Sequence, residues 1–237
     1  PLVNSRSMRI PFCFIFSSLI FAQVNKLHPL ELNHIQGLDS FDNKKLYIKN
    51  YSIASTLFLP IYSGRNKNIA LSSFMILGEK DSKIDLAPVI AGSIKISWNL
   101  SIAGRMSAFS NQKNAINIYG WGLAYKPGKE DKLSPWNFGV SSGVYRSFNK
   151  LRISSFSLSI IRTISLSKRD AYIGICSNNV KGIDYSIDQK LDSQNIQKNF
   201  SSFLIGTTFN VRGIKVLPTV NYSVDSLVMA IGLQKEF

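Results

Sequence analysis

The sequence predicts an all-β chain, an antiparallel transmembrane β-barrel of about ten to twelve strands. Three observations carry this. Short segments rich in β-branched and aromatic residues follow one another from about Tyr51 onward, separated by brief turns and without helical periodicity between them. In the clearest segments apolar residues alternate with Gly, Ala and Ser instead of long charged side chains, so one face suits lipid and the other a narrow lumen. Hydrophobic residues make up 45% of the 237 and charged residues only 18%, yet no apolar run reaches the roughly 18 residues that a membrane-spanning helix needs.

Taken in order, residues 1–7 precede the first methionine, Met8, and read as an upstream read-through or an incomplete gene start more than as a functional segment. MRIPFCFIFSSLIFAQ then offers one positive charge, an apolar core over 10–21 and a small residue, Ala22, before Gln23. That is the pattern of a secretory signal peptide cut after Ala22, although Ile20 departs from the small-residue preference. An apolar core of about twelve residues is too short to span a bilayer, and no Cys follows it to receive a lipid. Residues 23–45 show no sustained period and hold both histidines, His28 and His34. They are expected to lead into the barrel or to plug it. The expected organisation is therefore residues 1–22 as upstream segment and signal peptide, 23–45 as lead-in or plug, and 46–237 as barrel.

Strands are expected near 51–62, 68–78, 84–98, 102–110, 115–126, 136–147, 151–167, 171–186, 200–211, 214–222 and 226–237. An odd count does not suit a barrel of this kind. Either 46–49 supplies a twelfth strand, or two early segments are one and the count is ten. Pro60, Pro88 and Pro218 fall within these segments and point to bulges, strand starts or edges there.

Alternation is clearest in the second half. Phe156, Leu158, Ile160, Ile164 and Leu166 share a face interrupted by Arg162, while Ser155, Ser157, Ser159, Thr163 and Ser165 share the other. Hairpin registers offer a check, because paired residues lie on one face. A two-residue Arg212-Gly213 turn pairs Val211 with Ile214 and Phe209 with Val216. A three-residue turn over 99–101 pairs Trp98 with Ile102 and Ile94 with Met106, and puts Lys95 opposite Arg105. Tyr119, Trp121 and Tyr125 share a face opposite Gly120, Gly122 and Ala124, and Trp136 opens the next strand. Amphipathic rings at strand ends suit a membrane interface.

The last segment, LVMAIGLQKEF over 227–237, places Leu227, Met229, Ile231 and Leu233 on one face, with Phe237 ending the row. It resembles the final strand of bacterial outer-membrane β-barrels, in which the C-terminal aromatic is part of the assembly signal. The resemblance implies that Phe237 carries that signal, that the chain sits in the outer membrane among lipid and lipopolysaccharide, and that barrel-assembly machinery is a partner. Counting back from a last strand that runs toward the periplasm puts 187–199 outside and 127–134 on the periplasmic side.

Chemistry is sparse. Lys and Arg outnumber Asp and Glu by 28 to 14, but no basic run interleaved with aromatics and no nucleic-acid signature accompanies the charge, so nucleic acid is not an expected partner. The two cysteines are Cys13 and Cys176, and cleavage would leave one, which excludes a disulfide and a paired zinc or redox site. The enzymes of the outer-membrane class depend on a His in or at the barrel, and none occurs over 51–237. There is no HExxH, CxxC, EF-hand or phosphate-loop motif, and Asp184, Asp188 and Asp192 read as a solvated loop. No catalytic residue, metal or cofactor is expected. Lys95, Arg105 and Lys215 are the candidates for a lumen anion patch. The expected role is structural or channel-like, passing small solutes, with a preference for anions where the patch lines the pore. The alternative is a secreted or periplasmic soluble β-sandwich or lipocalin-like binding protein.

Overall fold

Alternation along each segment decides the architecture, since a strand that is apolar on one face and small or polar on the other has two surfaces to satisfy. The computed structural model describes residues 41–57, 67–80, 83–111, 114–129, 134–147, 151–166, 169–184, 194–224 and 226–237. Helix α1 (Phe41–Thr56) precedes β1 (Ile69–Lys80), β2 (Lys83–Ser97), β3 (Leu100–Asn111), β4 (Asn114–Tyr125), β5 (Trp136–Ser147), β6 (Leu151–Leu166), β7 (Arg169–Asp184), β8 (Gln194–Val211), β9 (Ile214–Ser223) and β10 (Ser226–Glu236). Each strand pairs antiparallel with its sequence neighbours and β1 pairs β10, so the sheet closes into a barrel of ten strands. Closure leaves no unpaired edge, which backbone in a bilayer requires.

The apolar rows point outward. On β6, Phe156, Leu158 and Ile160 are 43%, 51% and 48% exposed while Ser155, Ser157 and Ser159 are buried. Every strand adds to this belt, from Ile69 and Leu71 on β1 to Met229 and Ile231 on β10. The strands run from 10 to 18 residues, enough to cross a bilayer when tilted. A belt of this extent is costly in water and favourable in lipid, which sets aside the soluble sandwich.

The barrel has two mouths. Phe237 N–H donates to Ile69 O at 2.9 Å, and Asn68 N–H donates to Phe237 O at 3.1 Å, sealing the C-terminal mouth. The β1–β2 and β9–β10 turns lie at the far mouth.

Three expectations are corrected. Residues 51–56 are the end of α1, not a strand, and 46–49 is likewise helical instead of a twelfth strand; 58–66, with Pro60, lies outside the described residues. The even count arises because this segment leaves the wall, not because two strands merge. Inside a closed sheet no edge is available for pairing, so a segment in the lumen must satisfy its own backbone, and a helix does so. Second, the β2–β3 turn is the two-residue Trp98–Asn99, with a bulge between Lys95 and Ser97. Ile94 therefore opposes Ile102 and Ile90 opposes Met106, while Arg105 faces Ala91 and Lys95 faces Ser101. The expected and observed registers differ by an even number of residues, which keeps every side chain on its face and hides the slip from a face test. Third, β8 begins at Gln194, so part of the polar 187–199 segment extends the sheet. The Arg212-Gly213 hairpin has the expected register, with φ of 52° and 82° at its two turn residues, the left-handed pair that a two-residue hairpin uses. Pro88 and Pro218 sit inside paired stretches of β2 and β9 opposite Met75 and Ile231, each at the loss of one ladder hydrogen bond.

Candidate functional site: the helix in the lumen

The lumen holds α1. Ile48, Tyr51, Ile53 and Ala54 pack into one cluster with wall residues from around the barrel, among them Phe74, Val89, Ile118, Tyr145, Ile153 and Val228. The Tyr51 and Tyr145 rings meet at 4.1 Å between centroids, tilted by 40°. Polar residues of the helix are buried too: Lys49, Asn50, Ser52, Ser55 and Thr56 are all at or below 8% exposure.

The described side chains of the helix, 48–56, are mostly buried, and the wall supplies partners to its middle and to its C-terminal end, whose last carbonyls have no partner within the helix. Toward the far mouth, Lys49 Nζ donates to Val224 O in the β9–β10 turn, and Ser226 Oγ donates to Asn50 Oδ1. At the other end, halfway down the barrel, Ser141 Oγ donates to Thr56 O at 2.9 Å and Arg105 donates from its guanidinium to Leu57 O. These carbonyls are the unpaired, negative end of the helix, where a cation is favoured. Ser55 and Thr56 hydroxyls also turn back onto Ser52 O at 2.9 and 2.8 Å.

The wall is hollowed where the helix approaches it. Gly120 and Gly143 are register partners on β4 and β5. A Cβ at Gly143 would lie 2.6 Å from the Ser55 carbonyl carbon, and one at Gly120 would lie 3.2 Å from Ser55 O. Only glycine lets the backbone of α1 come this close.

The C-terminal half of the lumen is organised differently. Ile161, Tyr172, Cys176 and Leu204 form a second apolar cluster. Tyr172 Oη and Thr219 Oγ1 share a hydrogen bond, and Asn178 Nδ2 donates to Ser202 Oγ at 3.2 Å. Glu236 is a knot at the C-terminal mouth: its carboxylate accepts from Lys215 Nζ at 2.6 Å and Gln234 Nε2 at 2.9 Å, and its backbone carbonyl accepts from Lys67 Nζ at 2.9 Å.

The expected site residues therefore part company. Arg105 grips the end of α1, Lys215 is paired with Glu236, and Lys95 is half-buried on β2 beside Ser101. Tyr119, Trp121, Tyr125 and Trp136 all face outward and are exposed, as is Phe237, whose ring lies 5.2 Å from Lys235 Nζ. His28, His34, Asp188 and Asp192 lie outside the described residues. Sequence reasoning missed Lys49, Asn50, Ser141, Gly143 and Glu236. Inward glycines at 120, 122, 139 and 143 on two adjacent strands were the available signal, because a glycine within a strand marks a close backbone approach.

No protein-family model and no curated protein matches the chain. Among solved structures, the chain is similar to the N-terminal β-barrel domain of OprF from Pseudomonas aeruginosa, at 11% identity over 72% of this chain and 98% of that one, with a TM-score of 0.39. The translocator domain of the autotransporter NalP from Neisseria meningitidis matches at 9% identity over 84% and 98%, with a TM-score of 0.42. The attachment invasion locus protein Ail of Yersinia pestis matches at 10% over 72% and 95%, with a TM-score of 0.27. The chain's own closed wall and apolar outside are those of a membrane β-barrel.

Proposed function

We propose that this protein is a bacterial outer-membrane β-barrel held closed by its own helix, and that it works as a closed, non-enzymatic structural anchor. The observation that carries this is the double fastening of α1. Its C-terminal end is held at mid-wall by Arg105 and Ser141, while Lys49 and Asn50 are held at the β9–β10 turn. The helix axis thus points from the middle of the barrel to the mouth opposite Phe237. From Lys49 to Phe41 the helix rises about 12 Å further, which carries its start to that mouth. With the C-terminal strand ending at the periplasm, the far mouth faces out of the cell.

A gated channel for small solutes is the second reading, favoured by the hydroxyl-lined wall. Ser72, Ser107, Ser155 and Ser159 have buried oxygens with no protein partner among the described residues, a surface suited to water once α1 withdraws. Lys95 would then bias such a pore toward anions.

Heat modifiability in SDS after folding in detergent tests the barrel itself. Planar-bilayer conductance tests the closure. The wild-type protein is expected to be silent, and Arg105→Ala combined with Ser141→Ala to show intermittent openings. A steady wild-type conductance would overturn the closed anchor in favour of the channel, and its reversal potential in a salt gradient would report the preferred ion.

A further inference from the structure

At the far mouth the first stretch of β8, residues 194–201, presents an open strand edge, and we propose that this edge docks an extended strand supplied by another polypeptide. Its placement outside the hydrocarbon rests on the membrane-barrel reading above. Ring closure gives every strand two neighbours, but not over its whole length. β7 accompanies β8 rung by rung, without a bulge, up to the pair Asp184 with Gln194. β9 stops sooner: it ends at Ser223, and the pair Ser202 with Ser223 is the last rung on that side. Among the described residues, no strand pairs with the β9 side of 194–201.

Along such an edge every second residue points both its N–H and its C=O sideways, so 194–201 offers about four donor–acceptor sets over roughly 26 Å. Another extended backbone carries complementary groups at the same spacing, which is the basis of recognition by strand addition. Strand edges are commonly blunted by a bulge, a proline or several charges. This one has neither bulge nor proline, and Lys198 is its single charged residue.

The edge stands clear of the lipid. Along β8 the outward row runs Gln197, Asn199, Ser201, Phe203 and Ile205, all exposed. The apolar belt begins at Phe203, and the open stretch lies on its polar side. β7 changes character at the same level, where Ser177 faces Ser201 and Asn179 faces Asn199. A strand docked here displaces water instead of acyl chains.

The two faces of the edge select the strand. Toward the lumen Phe200 is half-buried against the cluster that holds α1, so an apolar residue is favoured beside it, while the outward row favours polar ones. Lys181 faces Gln197 across the β7–β8 ladder, and Lys198 lies on the edge itself. A strand bearing a carboxylate is therefore favoured over a basic one. The same charges disfavour a second copy of this chain as the occupant. Two copies in one membrane stand upright side by side, and pairing their edges sets each Lys198 near its own counterpart.

The test is hydrogen exchange of the full chain in phosphatidylcholine bilayers, read by mass spectrometry, with and without the acetylated and amidated peptide TVTETVTVT. Amides over 194–201 are expected to exchange at least about tenfold more slowly with the peptide, and those around the Arg212-Gly213 turn to be unchanged. The peptide with Lys in place of its Glu is expected to protect less. Two further forms, N-methylated on one or the other alternate set of amides, separate backbone pairing from side-chain contact: one should protect like the parent and the other not at all. No protection by the parent peptide, or equal protection by the two methylated forms, would overturn the site. Slow exchange over 194–201 before any peptide is added would show the edge already covered by the chain itself, and protection that grows with protein concentration alone would give it to a second copy; either overturns the proposal. A heat-modifiable band from the same preparations keeps a failed barrel distinct from a failed site.

Discussion

The ion pair at the C-terminal mouth shows how a single residue acts in this barrel. Glu236 is nearly buried, its side chain 6% exposed, and it depends on Lys215, which is 28% exposed. Removing the lysine takes its cation away from a carboxylate set in the wall, which also accepts from the neutral Gln234. Lys215→Ala is therefore expected to destabilise the folded barrel by about 1 to 3 kcal/mol. Lys215→Ala with Glu236→Gln is expected to cost less than Lys215→Ala alone, because the stranded charge is gone. Urea unfolding followed by the loss of heat modifiability measures both. A double variant as unstable as the sum of the two single changes would show that the pair is not coupled. Arg105 belongs to the same scale. Its sequence position on a lumen face was legible, but its partner was not, since Leu57 O comes from a segment 48 residues earlier.

On the proposed reading, helix α1 is the element that makes the barrel a closed anchor instead of an open pore. It was not legible because a helix surrounded by wall needs no polar face. FDNKKLYIKNYSIAST has no periodic stripe, and its later half reads as a strand by propensity. The strands were legible for the opposite reason: each has one face on lipid and one on the lumen, so the chemistry alternates residue by residue. A covalent latch tests the fastening of α1. Asn50 and Ser226 touch through their side chains, so Asn50→Cys with Ser226→Cys is expected to form a disulfide at the far mouth. Placed in the Arg105→Ala/Ser141→Ala background, it should silence the openings when oxidised and restore them on reduction. Openings that persist in the oxidised protein would mean that current does not require α1 to move. Cys176 is buried in the other half of the lumen and is not expected to interfere.

At the scale of the whole molecule, the belt and the filled lumen divide the tolerance to charge. Leu158 faces outward on β6, while Ser157 faces in. Leu158→Arg is expected to destabilise the barrel in bilayers by about 2 to 4 kcal/mol if it lies near the midplane, and by much less in small detergent micelles, where the side chain reaches water easily. Comparing unfolding midpoints in bilayers and in micelles checks this. Equal, small losses in both would place β6 outside the hydrocarbon and undo the membrane reading.

Taken by itself, the sequence determined the strand character of the wall, the lipid-facing rows, the Arg212-Gly213 hairpin and the outward aromatics, because each follows from alternation and turn chemistry within a few residues. Tertiary structure alone decided what fills the barrel. The β2–β3 register, the seat of α1 against Gly120 and Gly143, and the separate duties of Arg105 and Lys215 all depend on residues far apart in the chain. Their cause is physical: a local pattern specifies which way a side chain points, whereas the atom it meets inside a closed sheet depends on how the barrel shears and what the chain threads through it.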